Sequence, residues 1–235
     1  MEASAALIRA QLLSQLADLI VALKMLHPLR VAIDGVDAAG KTTLANELVA
    51  PVKAHGRQVI RASIDGFHRP RAERYQRGTD SPEGYYYDSF DYAALRAALL
   101  DPLGPNGNRA YRRAAFDFRT DTPVLEPTLH APTDAVLLFE GVFLFRPELN
   151  DCWDYRIFVH VDFEVAVNRA ARRDQALFGT DDEVRSRYWK RYVPGQHIYL
   201  QAVRPQTLAD VVVENNDPAK PRLVLCDRPK TNHRA

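Results

Sequence analysis

The sequence predicts an α/β protein built on a parallel sheet, and three observations carry that prediction. Five short apolar or β-branched runs recur along the chain: "LRVAIDG" (29 to 35), "RQVIRASID" (57 to 65), "AVLLFEG" (135 to 141), "YRIFVHVD" (155 to 162) and "ADVVVEN" (209 to 215). Most of them end in an acid or a glycine, and they read as strands. Helical patterns at 41 to 54, 91 to 100, 163 to 175 and 181 to 201 lie between several of them. The strands are apolar almost without alternation, as strands covered on both faces are, which selects the doubly wound class. Ligands of that class bind at the carboxyl ends of the strands, so the terminal acids and glycines converge on one crevice.

Taken in order, the first element is "ALIRAQLLSQLADLIVALKML", apolar on one face but interrupted by Arg9, Asp18 and Lys24. It reads as an amphipathic helix over the sheet, not as a signal or a membrane span. "DPLGPNGNR" (101 to 109) is rich in Gly, Pro and Asn and leads into a hairpin, "AYRRAAFDFRTDTPV". No repeat, low-complexity tract or long linker interrupts the chain. One domain over 1–235 is expected, with 1–27 as its N-terminal helix.

Composition limits the partners. The 235 residues are 46% hydrophobic and 26% charged, and 31 basic against 30 acidic side chains leave a formal charge of +1. No global field draws such a chain to nucleic acid or a membrane surface, so phosphate binding must be local. Cys152 and Cys226 lie far apart without metal-ligand spacing, which suits core thiols in a reducing, cytoplasmic compartment. "RYWKRYVPGQHIYLQAV" (187 to 203) mixes aromatic and basic residues, but Trp189, Tyr192 and Tyr199 recur near helical spacing and read as a helix packed on the sheet. His197 and Tyr199 are placed near the crevice.

The local phosphate site is "IDGVDAAGKTTLANEL" (33 to 48). Gly35, Gly40, Lys41 and Thr42 fit G-x-x-x-x-G-K-[ST] between a predicted strand and a predicted helix, the context a P-loop requires. Backbone N–H groups from Gly35, Asp37, Ala38, Ala39, Gly40 and Thr43 would curl around phosphate oxygens, Lys41 would supply charge, and Thr42 a hydroxyl to Mg²⁺. The ligand expected is ATP with Mg²⁺.

The second strand runs into "SIDGFHRPRAERYQRGTDSPEGYYYDSFDY" (63 to 92), unusually polar and aromatic for a connection, which reads as a substrate loop. Asp65, at the strand's end, either accepts a proton from an attacking hydroxyl or caps a turn with Gly66. Glu140 closes the apolar "LLFEG" and stands where a carboxylate beside Mg²⁺ is needed. Thr42, Glu140 and Asp65 are thus the oxygen donors expected toward the metal. Arg169, Arg172 and Arg173 share one helical face and could close over phosphates as a lid; the alternative is a solvated face paired with Asp174, Asp181 and Asp182.

"AIDGVDAAGKTTLANEL", "SIDGFHRP", "YDSFDYAAL", "VLLFEGVFLF", "RAARRD" and "ADVVVEN", in this order, resemble the uridine kinase and phosphoribulokinase group of P-loop kinases. The resemblance implies a P-loop NTPase fold: a five-stranded parallel sheet flanked by helices, a small β-hairpin near the acceptor within 66–124, and a helical lid within 163–201. It implies Asp65 as general base, His68 near the acceptor, Glu140 by the metal, and Arg169 and Arg173 as the lid pair. At the acceptor the chain departs from the family. "YYYDSFDY" and "AAFDFRTD" replace the segments that hold the ribose and read the pyrimidine, so Asp88 is assigned to the sugar, with Asp91 a helix cap and Tyr85 a rival for the aligned place. Phe116 stands where a hydrogen-bonding tyrosine is expected and Asp121 near an expected histidine, and Tyr87 belongs to an aromatic run that is either a stacking wall or core. The expected reaction is phosphoryl transfer to the 5'-hydroxyl of uridine or cytidine. Another small hydroxyl acceptor, pantothenate-like or a sugar, and a non-catalytic nucleotide switch remain alternatives, and homo-oligomerisation is left open.

Overall fold

The computed structural model describes residues 2 to 226. All five expected strands form: β1 (Leu29–Gly35), β2 (Val59–Ser63), β3 (Val136–Glu140), β4 (Tyr155–His160) and β5 (Val211–Glu214), joined by a sixth, β6 (Arg222–Leu225). The spatial order is β6-β5-β4-β1-β3-β2, with β1 to β5 parallel and β6 antiparallel to β5 at the edge. The added strand follows a polar turn and stays largely exposed, so it carries none of the continuous apolar signal of the others.

Each strand divides its side chains between two cores, as the pleat requires. Leu29, Val31 and Ile33 of β1 join Leu138, Ile157 and Val213 beneath α1 (Glu2–Ala22), α2 (Lys41–Glu47) and α3 (Val49–Ala54). Ala32, Leu137, Phe139, Phe158 and Val212 face the opposite layer, which holds Tyr86, Leu99, Phe143, Trp153 and Tyr199. Helix α1 ends at Ala22, short of the expected boundary, and Ala5–Ala22 has the length and apolar composition of a membrane-crossing helix. Its face of Leu12, Leu16, Ala17 and Ile20 is nonetheless buried in the first core.

Two short antiparallel pairs make the predicted hairpin region, Ala110–Tyr111 with Leu129–His130 and Phe116–Asp117 with Thr122–Pro123. Helix α4 (Pro82–Asp88) lies in the insertion before it, with Ser81 accepting from the Gly84 N–H as its cap. Asp91 caps the next helix by accepting from the Ala94 N–H at 2.8 Å, as expected. The lid region comprises α5 (Phe163–Arg173) and α6 (Asp181–Arg187), packed through Val167, Ala170, Val184 and Tyr188. The helix expected to run from 181 to 201 is instead interrupted: residues Tyr188–Tyr192 wind as a π turn before α7 (Val193–Val203). Pro194 explains the break, because it has no N–H to donate to the preceding turn. The wider winding buries Tyr188 and turns Trp189 out to 42% exposure, so Trp189 does not pack as its spacing predicts. Cys152 is buried as expected, whereas Cys226 is half-buried.

If α1 is integral to the core, Leu16→Ala should cost about 2–5 kcal/mol. Urea unfolding should show that loss with nucleotide affinity unchanged.

Candidate active site

Parallel pairing delivers the site's pieces to one edge. Glu140 at the end of β3 sits beside Ile33 of β1 and Ser63 of β2, and Gly35 sits beside Val159 of β4. Residue 35 must be glycine: a Cβ there would collide with the Val159 carbonyl oxygen. Gly40 holds φ +95°, in the left-handed region, and opens α2 as its N-cap. Between them the loop turns at Ala38, φ 55°. Lys41 is buried, and its Nζ donates to the Val36 carbonyl at 2.7 Å across the loop. Thr42 and Thr43 are exposed at the first turn of α2. The loop is braced from outside, where Asn215 Nδ2 donates to Ala39 O at 2.7 Å.

Behind the loop lies a buried carboxylate that motif reading passed over. Asp34 accepts from the Tyr199 hydroxyl and, at 3.4 Å, from the Leu144 N–H, and Phe145 N–H donates to the same tyrosine oxygen at 3.1 Å. Burial pushes the Asp34 carboxyl up to about 6, against the pull of Tyr199, the Gly35 and Leu144 amides and Lys41. Tyr199 therefore supports the loop from behind instead of lining the crevice, and His197 rests on Phe163 with ring centres 4.6 Å apart.

Asp65 stands in the short turn Ile64–Phe67 after β2, with its N–H bonded to Ser63 Oγ at 3.3 Å and 62% of its side chain exposed. His68 reaches it through Nε2 at 3.5 Å. The ring's Nδ1 meets Ser89 O at 3.1 Å, and the imidazole is held between Phe90 and Phe118, with centroids 4.5 and 4.9 Å away. Burial of the crevice pulls the Asp65 carboxyl upward, but the His68 hydrogen bond and the charges of His68, Lys41 and Arg173 outweigh it, so it lies below its ordinary value. Asp65 is a carboxylate at neutral pH.

The lid arginines have different settings. Arg169 donates through Nη2 to Asn215 O at 2.7 Å and Asn216 O at 3.1 Å, and through Nη1 to Ala38 O and Ala39 O at 3.5 Å, tying α5 to the loop backbone. Arg173 grips Asp174 at 2.6 and 2.9 Å and acts electrostatically on Asp37 and Asp65. Those Asp174 bonds hold its guanidinium above the ordinary value. Arg172 is exposed.

The acceptor-side assignments are redistributed. Asp88 is buried and accepts from Arg77 Nε at 2.7 Å. Asp121 accepts from the Arg71 N–H at 2.8 Å and Arg74 Nη2 at 3.3 Å, stapling the hairpin to the insertion. Phe116 is buried in its strand, and Phe118, which sequence reading overlooked, meets His68 instead. Tyr87 is 49% exposed beside Arg77 and Arg146, while Tyr85, Tyr86 and Phe90 are core. Tyr85 crosses to the P-loop, where its hydroxyl donates to Asp37. Arg191 is fully buried and donates through Nη1 to the carbonyls of Gly78, Thr79 and Ser81 at 3.0–3.3 Å, and through Nη2 to that of Arg74 at 3.3 Å. No motif announced it.

Among the described residues, no three His, Cys, Asp or Glu side chains gather as a cage for a metal. Thr42, Glu140 and Asp65, the side chains expected toward Mg²⁺, carry the hard oxygen donors that this ion takes.

A glycine-bracketed loop, an exposed carboxylate after β2 and an acid closing β3 stand at one edge of the sheet. The phosphoribulokinase / uridine kinase family model matches residues 31–218. The chain belongs to that family. It is 27% identical over 198 residues to uridine kinase of Lactobacillus helveticus, covering 81% of this chain and 88% of that protein. Uridine-cytidine kinase B of Dictyostelium discoideum is 26% identical over 189 residues, 80% of this chain and 74% of that one. The solved structure of a possible uridine kinase from Bacillus stearothermophilus superposes with a TM-score of 0.67 at 26% identity, covering 85% and 96% of the two chains. This family member is a nucleotide-binding phosphotransferase that acts on a hydroxyl group.

The buried Asp34 makes stability pH-dependent. Its carboxyl is raised from 3.8 to about 6, so between those values the folded state binds more protons than the unfolded and stability falls as pH rises. At about 1.4 kcal/mol per unit, the native protein should lose roughly 2 kcal/mol relative to Asp34→Asn between pH 4 and pH 7. Urea titrations of both proteins at the two pH values check it.

Proposed function

We propose that the chain transfers the γ-phosphoryl group of ATP to the 5'-hydroxyl of uridine or cytidine. The observation that carries the reading is Asp65: an exposed carboxylate, held ionised by His68, within electrostatic reach of Lys41 and Arg173. A base so placed orients the attacking hydroxyl and takes its proton, while the loop amides, Lys41 and Arg173 hold the charge that spreads over the transferring group. Mg²⁺, when bound, neutralises phosphate charge, and the Thr42 hydroxyl with Glu140 nearby would hold it. Arg169 keeps the lid helix on the loop, so the phosphate cradle and lid move together. The nucleoside assignment draws on the uridine kinase and uridine-cytidine kinase relatives.

A second reading, a sugar or pantothenate-like acceptor, is favoured by one observation. Asp88 and Asp121 are each tied to an arginine and Phe116 has no hydrogen-bonding group, so the three positions expected to read a ribose and a pyrimidine are employed differently.

ADP release from MgATP should rise with uridine or cytidine and not with pantothenate or simple sugars. Asp65→Asn should cut that turnover about 10²–10⁴-fold while nucleotide still binds. Stimulation by a sugar alone would select the second reading, and an active Asp65→Asn would remove the base. His68 lowers the Asp65 carboxyl, so His68→Gln should raise it and bring the acid limb of the pH–rate profile to higher pH.

A further inference from the structure

A carboxylate is out of place in a loop that binds anions, yet Asp37 is the third residue of this one. Its surroundings account for it. The Tyr85 hydroxyl, from the acceptor insertion, donates to Asp37 Oδ2 at 2.7 Å, and Gln196 Nε2, from α7, donates to the same oxygen at 2.5 Å. Both donors are buried and have little freedom to turn away. Tyr85 is enclosed by the rings of Phe143 and Tyr192, at 5.0 and 4.8 Å, and α7 presses so closely that a Cβ at Gly195 would come within 2.8 Å of it. Neither bond uses Oδ1, and Asp37 remains half-buried. Burial raises the Asp37 carboxyl, Lys41, the Tyr85 hydrogen bond and Arg173 oppose the rise, and Asp65 adds to it, so the group feels the charges of both the loop and the acid after β2.

With Tyr85 and Gln196 both donating to it, Asp37 stands as an acceptor, and phosphate oxygens are acceptors too, so its complement is a donor on the other substrate. We propose that Asp37 Oδ1 accepts a hydrogen bond from a second hydroxyl of the phosphoryl acceptor, making the P-loop itself a specificity determinant for a polyhydroxyl substrate such as a furanose. Asp65 takes the hydroxyl that attacks, and Asp37 takes one that does not. Tyr85 and Gln196 are positioning residues that fix the carboxylate's plane. The proposal rests on the phosphoryl-transfer reading above, and on its nucleoside acceptor for the choice of probes.

The test compares uridine, 2'-deoxyuridine and 3'-deoxyuridine as acceptors for the wild type, Asp37→Ala and Asp37→Asn, alongside the Kd of MgADP. Asn keeps an oxygen for Tyr85 and Gln196, so it guards against a variant that simply misfolds. The wild type should prefer uridine at least tenfold over one deoxynucleoside in kcat/KM. Asp37→Ala should bring that ratio close to one, both variants should raise the KM for uridine tenfold or more, and MgADP affinity should change less than twofold. Retained discrimination in both variants, or a tenfold change in MgADP affinity, overturns the assignment. If the wild type phosphorylates none of the three, the nucleoside reading fails by itself. MgADP binding then decides for Asp37: a tenfold change overturns its place on the acceptor side, and a change under twofold supports it.

Discussion

Parallel pairing of β1 with its two neighbours is the constraint on which the remainder rests. Because β3 and β4 run in the same direction as β1, all three end at one edge, and the register brings Gly35 against Val159 and Glu140 against Ile33. Only a residue without a Cβ tolerates that approach to the Val159 carbonyl, so the sheet dictates where the phosphate loop leaves it. The acid after β2 arrives by the same geometry, since Ser63 pairs beside Glu140 and Asp65 follows two residues on.

A buried polar frame holds this edge rigid. Tyr199 bridges Asp34 and the Phe145 amide, Trp153 Nε1 donates to Leu144 O at 2.7 Å, and the segment after Glu140 is thereby fixed to β1 and α7 together. Charge buried at Asp34 destabilises the fold, and the hydrogen bonds converging on it offset part of that cost. The hydrogen bonds from Tyr85 and Gln196 to Asp37 extend the frame into the loop, so insertion, loop and α7 share one set of contacts.

What could be read from sequence was what is local. Strands buried on both faces leave continuous apolar runs, and "GVDAAGKT" compresses a turn, a helix start and a charge into eight residues, so the sheet and the loop were legible, as were the places of Asp65 and Glu140 at the ends of their strands. The sixth strand was not, because an exposed edge strand of four residues carries no such run. Partners far apart in sequence were equally hidden. Tyr85 and Asp37 are 48 residues apart and Gln196 and Asp37 159, and no periodicity links them. Asp88 and Asp121 looked like ligands because an acid in a polar loop gives no sign of the arginine it will meet, here Arg77 and Arg74. The winding at Tyr188–Tyr192 shifted the aromatic spacing that had pointed to Trp189, although Pro194 was the available warning.

Arg191 has a consequence for how the acceptor segment can change. Its guanidinium donates to the insertion through main-chain oxygens, those of Arg74, Gly78, Thr79 and Ser81, and it also lies over the rings of Tyr75 and Tyr85. Every amino acid presents the same carbonyl, so the anchor is blind to the side chains at 76 to 81. Gln76, Thr79 and Asp80 can therefore exchange their outward chemistry while the segment stays fastened at the same place, whereas Arg77 and Ser81 keep their own ties to Asp88 and to the start of α4.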